Sequence, residues 1–215
     1  MSIAVVDTEL CMGCGLCKDL CPYEGTVTIE DRKSNIDESR CRGCGLCVAA
    51  CPAMALDLKY LPRKMIFART KAFLRGEGTT PTFEPKLMIY ICDWLSRKGA
   101  SLRDVAKIPG SSKVRAIKFP CIGFLDPLFV VNAFLSGADG VLIVGCGKDD
   151  CDHVDSNLKA SLGIKYVLSW LKTVGLEEER LKFQLLPLSK ARSEFMRIAA
   201  DALTTIKEIG PTLLR

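Results

Sequence analysis

Residues Cys11 to Pro22 read CMGCGLCKDLCP, and residues Cys41 to Pro52 read CRGCGLCVAACP. At an offset of 30 residues the two segments agree at eight of twelve positions, and an Asp stands four residues before each first cysteine (Asp7, Asp37). Each copy is a C-x₂-C-x₂-C-x₃-C-P run, the spacing that holds [4Fe–4S] clusters. Three cysteines at this pitch let one tight loop present three thiolates to three irons of a cube. Gly13, Gly15, Gly43 and Gly45 supply the backbone freedom that such a loop needs. The fourth cysteine is expected to open a short helix that faces away, and so to ligate the other copy's cluster. The pattern predicts a first cluster on Cys11, Cys14, Cys17 and Cys51, and a second on Cys41, Cys44, Cys47 and Cys21. Pro22 and Pro52 then turn the chain. Zinc is the weaker alternative, because it usually takes two CxxC knuckles rather than three cysteines plus one. A purely structural pair of clusters is another.

The elements that must position these cysteines follow from length and composition. The chain has 215 residues, 48% hydrophobic and 26% charged, which excludes wholesale disorder and suggests one to two domains. Its most apolar stretch, Phe124 to Cys146, is broken by Asp126, Pro127, Asn132, Ser136 and Asp139, so no membrane span is expected. No secretion signal is read at the start, and twelve cysteines in a cytoplasmic chain point to metal or redox work rather than disulfides. The formal charge is +5, but residues 1–60 carry a net −3 while residues 61–90 carry +4. No basic run interleaves with aromatics, so a nucleic-acid partner is not expected. Four thiolates around an iron–sulfur core leave a net −2, so three such sites would bring the working charge to −1.

Residues 2–60 resemble the two-cluster bacterial-type ferredoxins. The resemblance implies short strands at Ile3–Val6 and Ala55–Leu58 and around Thr26–Ile36. So small a segment makes a poor apolar core, and its clusters would supply much of the folding energy. Residues 61–86 show no clean period and carry six basic side chains and a turn-rich Gly76–Thr82 patch, which reads as a connector. It is either a solvated linker or a basic docking strip.

From residue 87 the pattern becomes βα. Strands are predicted at Leu87–Ile91, Val114–Phe119, Val141–Val144 and Leu181–Leu186. Helices are predicted over Trp94–Lys107, Leu128–Leu135 (capped by Asp126–Pro127), Asn157–Val174 and Lys190–Ile209. The fold class is therefore α/β: a small α+β two-cluster domain (1–60), a basic linker (61–86), and an open, flavodoxin-like parallel sheet (87–215). Cys92, Cys121, Cys146 and Cys151 fall at carboxyl ends of strands, the edge where open α/β sheets bind ligands. A third iron–sulfur site is the reading preferred over four-thiolate zinc or ordinary buried cysteines. The spacing does not give its cluster type.

Cys92-Asp93-Trp94, Pro120-Cys121, Asp126-Pro127 and the run Gly137-Ala138-Asp139-Gly140-Val141-Leu142-Ile143-Val144-Gly145-Cys146 resemble the delta subunit of methyl-viologen-reducing hydrogenase. The resemblance implies one [2Fe–2S] cluster on Cys92, Cys121, Cys146 and Cys151. It also implies an electron-transfer subunit beside a flavin-containing heterodisulfide reductase A-like subunit, in an electron-bifurcating complex with a hydrogenase or formate dehydrogenase as donor. Two positions depart from the family pattern: Lys148 stands where histidine is expected and Phe124 where arginine is expected. Other hosts, such as an acyl-CoA ring reductase complex, stay open, as do a stand-alone ferredoxin-like carrier and a cysteine-based redox sensor. The single histidine, His153, reads as a neighbour of the third site rather than a ligand, and Asp149, Asp150, Asp152 and Asp155 as a solvated acidic loop. One histidine cannot complete a hydrolytic catalytic set, and no dinucleotide or Walker loop is present, so neither catalysis nor flavin binding by this chain is expected.

Overall fold

The computed structural model describes residues 2–75 and 83–214. The Gly76–Thr82 patch lies outside the described residues. The N-terminal part is built from two antiparallel ribbons and two single-turn helices. β1 (Ala4–Val6) leads into α1 (Leu16–Leu20), then β2 (Val27–Glu30), β3 (Lys33–Ile36), α2 (Leu46–Ala49) and β4 (Leu56–Leu58). β1 pairs with β4, bringing Ala4 opposite Leu58, and β2 pairs with β3 across a two-residue turn at Asp31–Arg32. The 30-residue repeat is visible in space: a Cβ at Gly13 would overlap the Arg32 carbonyl, and one at Gly43 would overlap the Ser2 carbonyl.

Residues 63–74, read from sequence as a connector without period, form the twelve-residue helix α3 (Arg63–Leu74). Its buried stripe is Arg63, Ile66, Thr70 and Leu74. Half of that stripe is polar, which hides the helical period from an apolarity count. Both polar members have partners across the interface. Thr70 Oγ1 lies 3.1 Å from the Tyr90 hydroxyl, which donates in turn to the Phe129 carbonyl at 3.1 Å.

The C-terminal part is a four-stranded parallel sheet. Its strands are β5 (Leu87–Cys92), β6 (Val114–Phe119), β7 (Gly140–Cys146) and β8 (Leu181–Leu186), in the spatial order β6-β5-β7-β8. Every residue of β5 and β7 is buried, as two inner parallel strands covered on both faces require. The segment predicted as one helix over Trp94–Lys107 is two: α4 (Asp93–Arg97) and α5 (Leu102–Val105). Gly99 at φ +117° breaks the run, and Ser101 starts the next turn by accepting the Arg103 N–H at 3.2 Å. The remaining helices are α6 (Pro127–Leu135), α7 (Ser156–Thr173) and α8 (Ala191–Ile209). α3, α6 and α7 pack side by side, while α5 and α8 contact each other. This order is the flavodoxin-like arrangement with four strands. Its switch point lies beside β5, which passes the chain out to β6 and then back across to β7.

Candidate iron–sulfur centres

Cys11, Cys14, Cys17 and Cys51 line one pocket, together with Ile29, Ser34, Ala55 and Leu56. The Ser34 N–H donates to Cys11 Sγ at 3.4 Å, and Cys17 Sγ lies 3.2 Å from Ser34 Oγ. At the positions 30 residues away, the Ala4 N–H donates to Cys41 Sγ at 3.4 Å. Each first cysteine is therefore addressed by a backbone donor from the other copy's ribbon. Cys44 and Cys47 interact electrostatically with Cys21 and Cys41, so the second set also draws its fourth thiol from the other copy. Burial pushes the Cys44 thiol up to about 11 and Cys47 higher still. Iron would have to displace those protons, which couples loading to folding. Four cysteines around one pocket, turns with Gly15 and Gly45 at φ +83° and +79°, and N–H donors on the sulfurs are a donor set that fits cubane clusters. One local detail differs from the sequence reading. The fourth cysteine does not open a helix: Cys21 caps the C-terminal end of α1, and Cys51 follows α2. The helix spans the third-to-fourth spacing because the left-handed glycine before it starts the turn.

At the sheet's carboxyl edge, Cys92 ends β5, Cys146 ends β7, and Cys121 and Cys151 lie in the loops just after β6 and β7. The four thiols interact as one group: Cys92 with Cys146 and Cys121, Cys146 with Cys151, and Cys151 with Cys121. They share their protons unevenly. Hydrogen bonds from Cys121 and Cys146, followed by the His153 and Asn157 N–H groups, draw Cys151 down to about 2. The Cys146 thiol, then the Leu95 and Trp94 N–H groups at the start of α4, draw Cys92 down to about 7. Cys121 and Cys146 are raised by donating to Cys151 and by burial. Thiolates held by backbone donors at helix starts are primed for metal. Among the described residues no three His, Cys, Asp or Glu side chains converge to hold a single ion. By type, four thiols grouped in this way are a donor set that fits a multi-iron core as well as a single tetrahedral ion. Asn157, buried at the start of α7, pins the β7 end by donating to the carbonyls of Cys146 and Gly147 at 2.9 and 2.8 Å.

Two of the cysteine groups meet where the N-terminal and C-terminal parts pack together. Cys44, Leu46 and Cys121 form one buried cluster, flanked by Leu20, Tyr23 and Cys151. Phe124 is fully buried, and a Cβ added at Gly45 would lie 2.6 Å from its ring. The departure from arginine at this position is thus an apolar plug between domains. Lys148 is exposed on the loop after Cys146. His153 stands outside the thiol group, with Nδ1 2.7 Å from the Tyr23 hydroxyl. Burial, with the neighbouring Cys44, Asp152, Cys121 and Cys151, raises the Tyr23 phenol, so it keeps its proton beside His153. Of the acidic loop, Asp149, Asp152 and Asp155 are exposed, and Asp150 accepts the Leu188 N–H at 2.9 Å. Arg63 closes the boundary elsewhere: its guanidinium donates to the Val48 carbonyl and pairs with Asp126, both side chains being under 10% exposed. Sequence reading missed Tyr23, Asn157 and Arg63. Tyr23 alone left a trace there, since its counterpart in the repeat is Ala53.

Residues 87–210 match the family described as methyl-viologen-reducing hydrogenase, delta subunit, and residues 3–60 match a 4Fe-4S dicluster domain. The dicluster match supports two [4Fe–4S] clusters. The chain is similar to the A-type subunit of the ferredoxin:CoB-CoM heterodisulfide reductase of Methanosarcina mazei, at 33% identity over 97% of this chain and 26% of that protein. It is also similar to the D-type iron-sulfur subunit of the F420-non-reducing hydrogenase vhc of Methanococcus voltae, at 31% identity over 62% of this chain and 92% of that one. The chain spans about a quarter of the length of the heterodisulfide reductase subunits it matches. Among the described residues, no helix is long and apolar enough to cross a membrane.

Proposed function

The chain belongs to the methyl-viologen-reducing hydrogenase delta-subunit family, and on that premise we propose that it is an iron–sulfur electron-transfer subunit. It links a hydrogenase- or formate-dehydrogenase-type donor to a flavin-containing heterodisulfide reductase A-like subunit. Cys11, Cys14, Cys17 and Cys51 would hold one [4Fe–4S] cluster, Cys41, Cys44, Cys47 and Cys21 the other, and Cys92, Cys121, Cys146 and Cys151 a [2Fe–2S] cluster. When bound, such clusters take up and release single electrons. The protein's part is to hold thiolates, exclude water and fix spacing. Gly45 and Phe124 bring the two inner ligand loops into van der Waals contact, and Asn157 and the α4 N–H groups hold the third site's thiolates. Leu46 and Phe124 keep water out between them.

The observation that carries this reading is the buried Cys44–Leu46–Cys121 cluster, set against the exposure of Cys14 at the opposite loop. One set faces solvent, the next faces the third site, and a relay needs that order. A second feature favours a complex-bound role over a free carrier. Leu162, Tyr166 and Trp170 on α7 and Val174 just after it, spaced four apart, are all more than half exposed. An aromatic stripe of that length is what a permanent interface covers. Gel filtration of the native assembly at low and high salt tests it. Co-elution with larger subunits at both is expected, because an apolar centre is not screened by salt. Elution as a monomer at both would leave the free-carrier reading.

A further inference from the structure

The repeat puts two nearly identical loops in opposite surroundings. Cys14 and Leu16 are exposed, while their counterparts Cys44 and Leu46 are buried against Cys121. At the residue two places after each fourth cysteine the copies diverge outright: Tyr23 follows Cys21, and Ala53 follows Cys51. Tyr23 reaches across the domain boundary to His153, which stands two residues after Cys151. The rings meet edge to face at 6.2 Å between centroids. The phenol lies within electrostatic reach of Cys44, Cys121 and Cys151.

Resting on the function proposed above, we propose that Tyr23 and His153 form a positioning pair. Their hydrogen bond fixes the separation of the Cys21/Cys41/Cys44/Cys47 set from the Cys92/Cys121/Cys146/Cys151 set, and so sets how strongly the two sites couple. Exchange between them moves one electron, oxidising one site as it reduces the other, and makes or breaks no bond. Two further polar contacts cross the boundary. Arg63 bridges Val48 and Asp126, and Lys159 Nζ donates to the Leu20 carbonyl at 3.3 Å. The Tyr23–His153 bond ties the Cys21 turn to the Cys151 turn directly. A neutral hydrogen bond contributes modestly in net terms, so losing it shifts the balance of docked and loosened arrangements by about two- to tenfold.

The test uses the full chain, loaded anaerobically with iron and sulfide and reduced with dithionite. Electron paramagnetic resonance then reads the mutual broadening of the two sites' signals and their half-saturation power. Tyr23→Phe keeps the ring and removes the hydroxyl. His153→Ala removes the hydrogen-bond partner, and His153→Asn restores a polar atom near the position of Nδ1. We expect Tyr23→Phe and His153→Ala each to weaken the interaction severalfold at unchanged iron content, the double variant to be no worse, and His153→Asn to retain it. Should Tyr23→Phe fail to load, His153→Ala reads the same bond from the other side. A wild-type interaction that survives in Tyr23→Phe or His153→Ala at full loading overturns the proposal, as does His153→Asn behaving like His153→Ala. Eight irons in the wild type would instead overturn the function proposed above, and this pair with it.

Discussion

Asp126 does two jobs that one substitution can separate. Its Oδ1 caps α6 by accepting the Leu128 N–H at 2.8 Å, and its Oδ2 pairs with Arg63. Asn caps a helix about as well as Asp, so Asp126→Asn should keep the cap and strand a buried guanidinium. Removing one partner of a buried pair costs about 3–5 kcal/mol. Here the Val48 carbonyl still accepts from Arg63, and the Asp57 carboxylate still acts on it, so the lower end applies, about 3 kcal/mol. For a chain of this length that is a fall in Tm of about 6–12 °C. Asp126→Ala removes the cap as well and should cost about 1 kcal/mol more. Arg63→Met combined with Asp126→Asn removes the stranded charge and should recover most of the loss. Anaerobic scanning calorimetry of the iron-loaded chain measures all three. The reasoning is refuted if Asp126→Asn melts with the wild type, or if the double variant melts no higher than Asp126→Asn.

Three further outcomes are expected. Iron analysis of anaerobically prepared protein should give ten irons per chain; eight would remove the third site, and twelve would make it a [4Fe–4S] cluster. Cys51→Ser should perturb the same spectroscopic signal as Cys14→Ser and spare the one lost in Cys44→Ser, and the reverse pairing would sink the crossed ligation. Gly15→Ala and Gly45→Ala both place a side chain at positive φ, at a cost of about 1–2 kcal/mol. Only Gly45 has Phe124 at 2.6 Å, so only Gly45→Ala should weaken the coupling between the second and third sites as well as lower Tm. Equal spectra from the two variants would count against a tight domain contact at Phe124.

What the sequence made legible was whatever rests on short-range rules. Val114–Phe119 and Leu181–Leu186 came out residue for residue as strands, because short segments mixing apolar and polar side chains between turn signals leave little choice of length. Asp126–Pro127 marked the start of α6 through cap chemistry alone. The family resemblance and the parallel sheet agree with the family match and the observed topology. The misses share a cause, which is that they depend on what packs opposite. α3 hides its period because Arg63 and Thr70 occupy core positions, and each is tolerated only by partners far along the chain. The Trp94–Lys107 segment keeps a helical period across Gly99, whose φ of +117° is a property of the folded backbone. Tyr23 stands out in the sequence only against Ala53 of the repeat, since its partner His153 lies 130 residues away.

The four positions at which the repeat differs within its twelve residues show how one loop acquires two roles. They are Met12/Arg42, Lys18/Val48, Asp19/Ala49 and Leu20/Ala50. Three of them fall on or just after the short helix between the third and fourth cysteines. Lys18 and Asp19 are exposed, and a helix carrying them stays hydrated. Val48 is fully buried, and Ala49 and Ala50 are small enough for α2 to lie against the Ile122–Phe124 turn. That approach is what brings Cys44 to Cys121 and hands the Val48 carbonyl to Arg63. The cysteines and glycines are common to both copies because each must cage the same kind of core. The side chains between them decide whether that cage faces water or the next thiols. A reciprocal exchange of Lys18-Asp19-Leu20 and Val48-Ala49-Ala50 would therefore leave eight cysteines in place while putting a buried Lys–Asp pair at the domain boundary, where desolvation opposes docking.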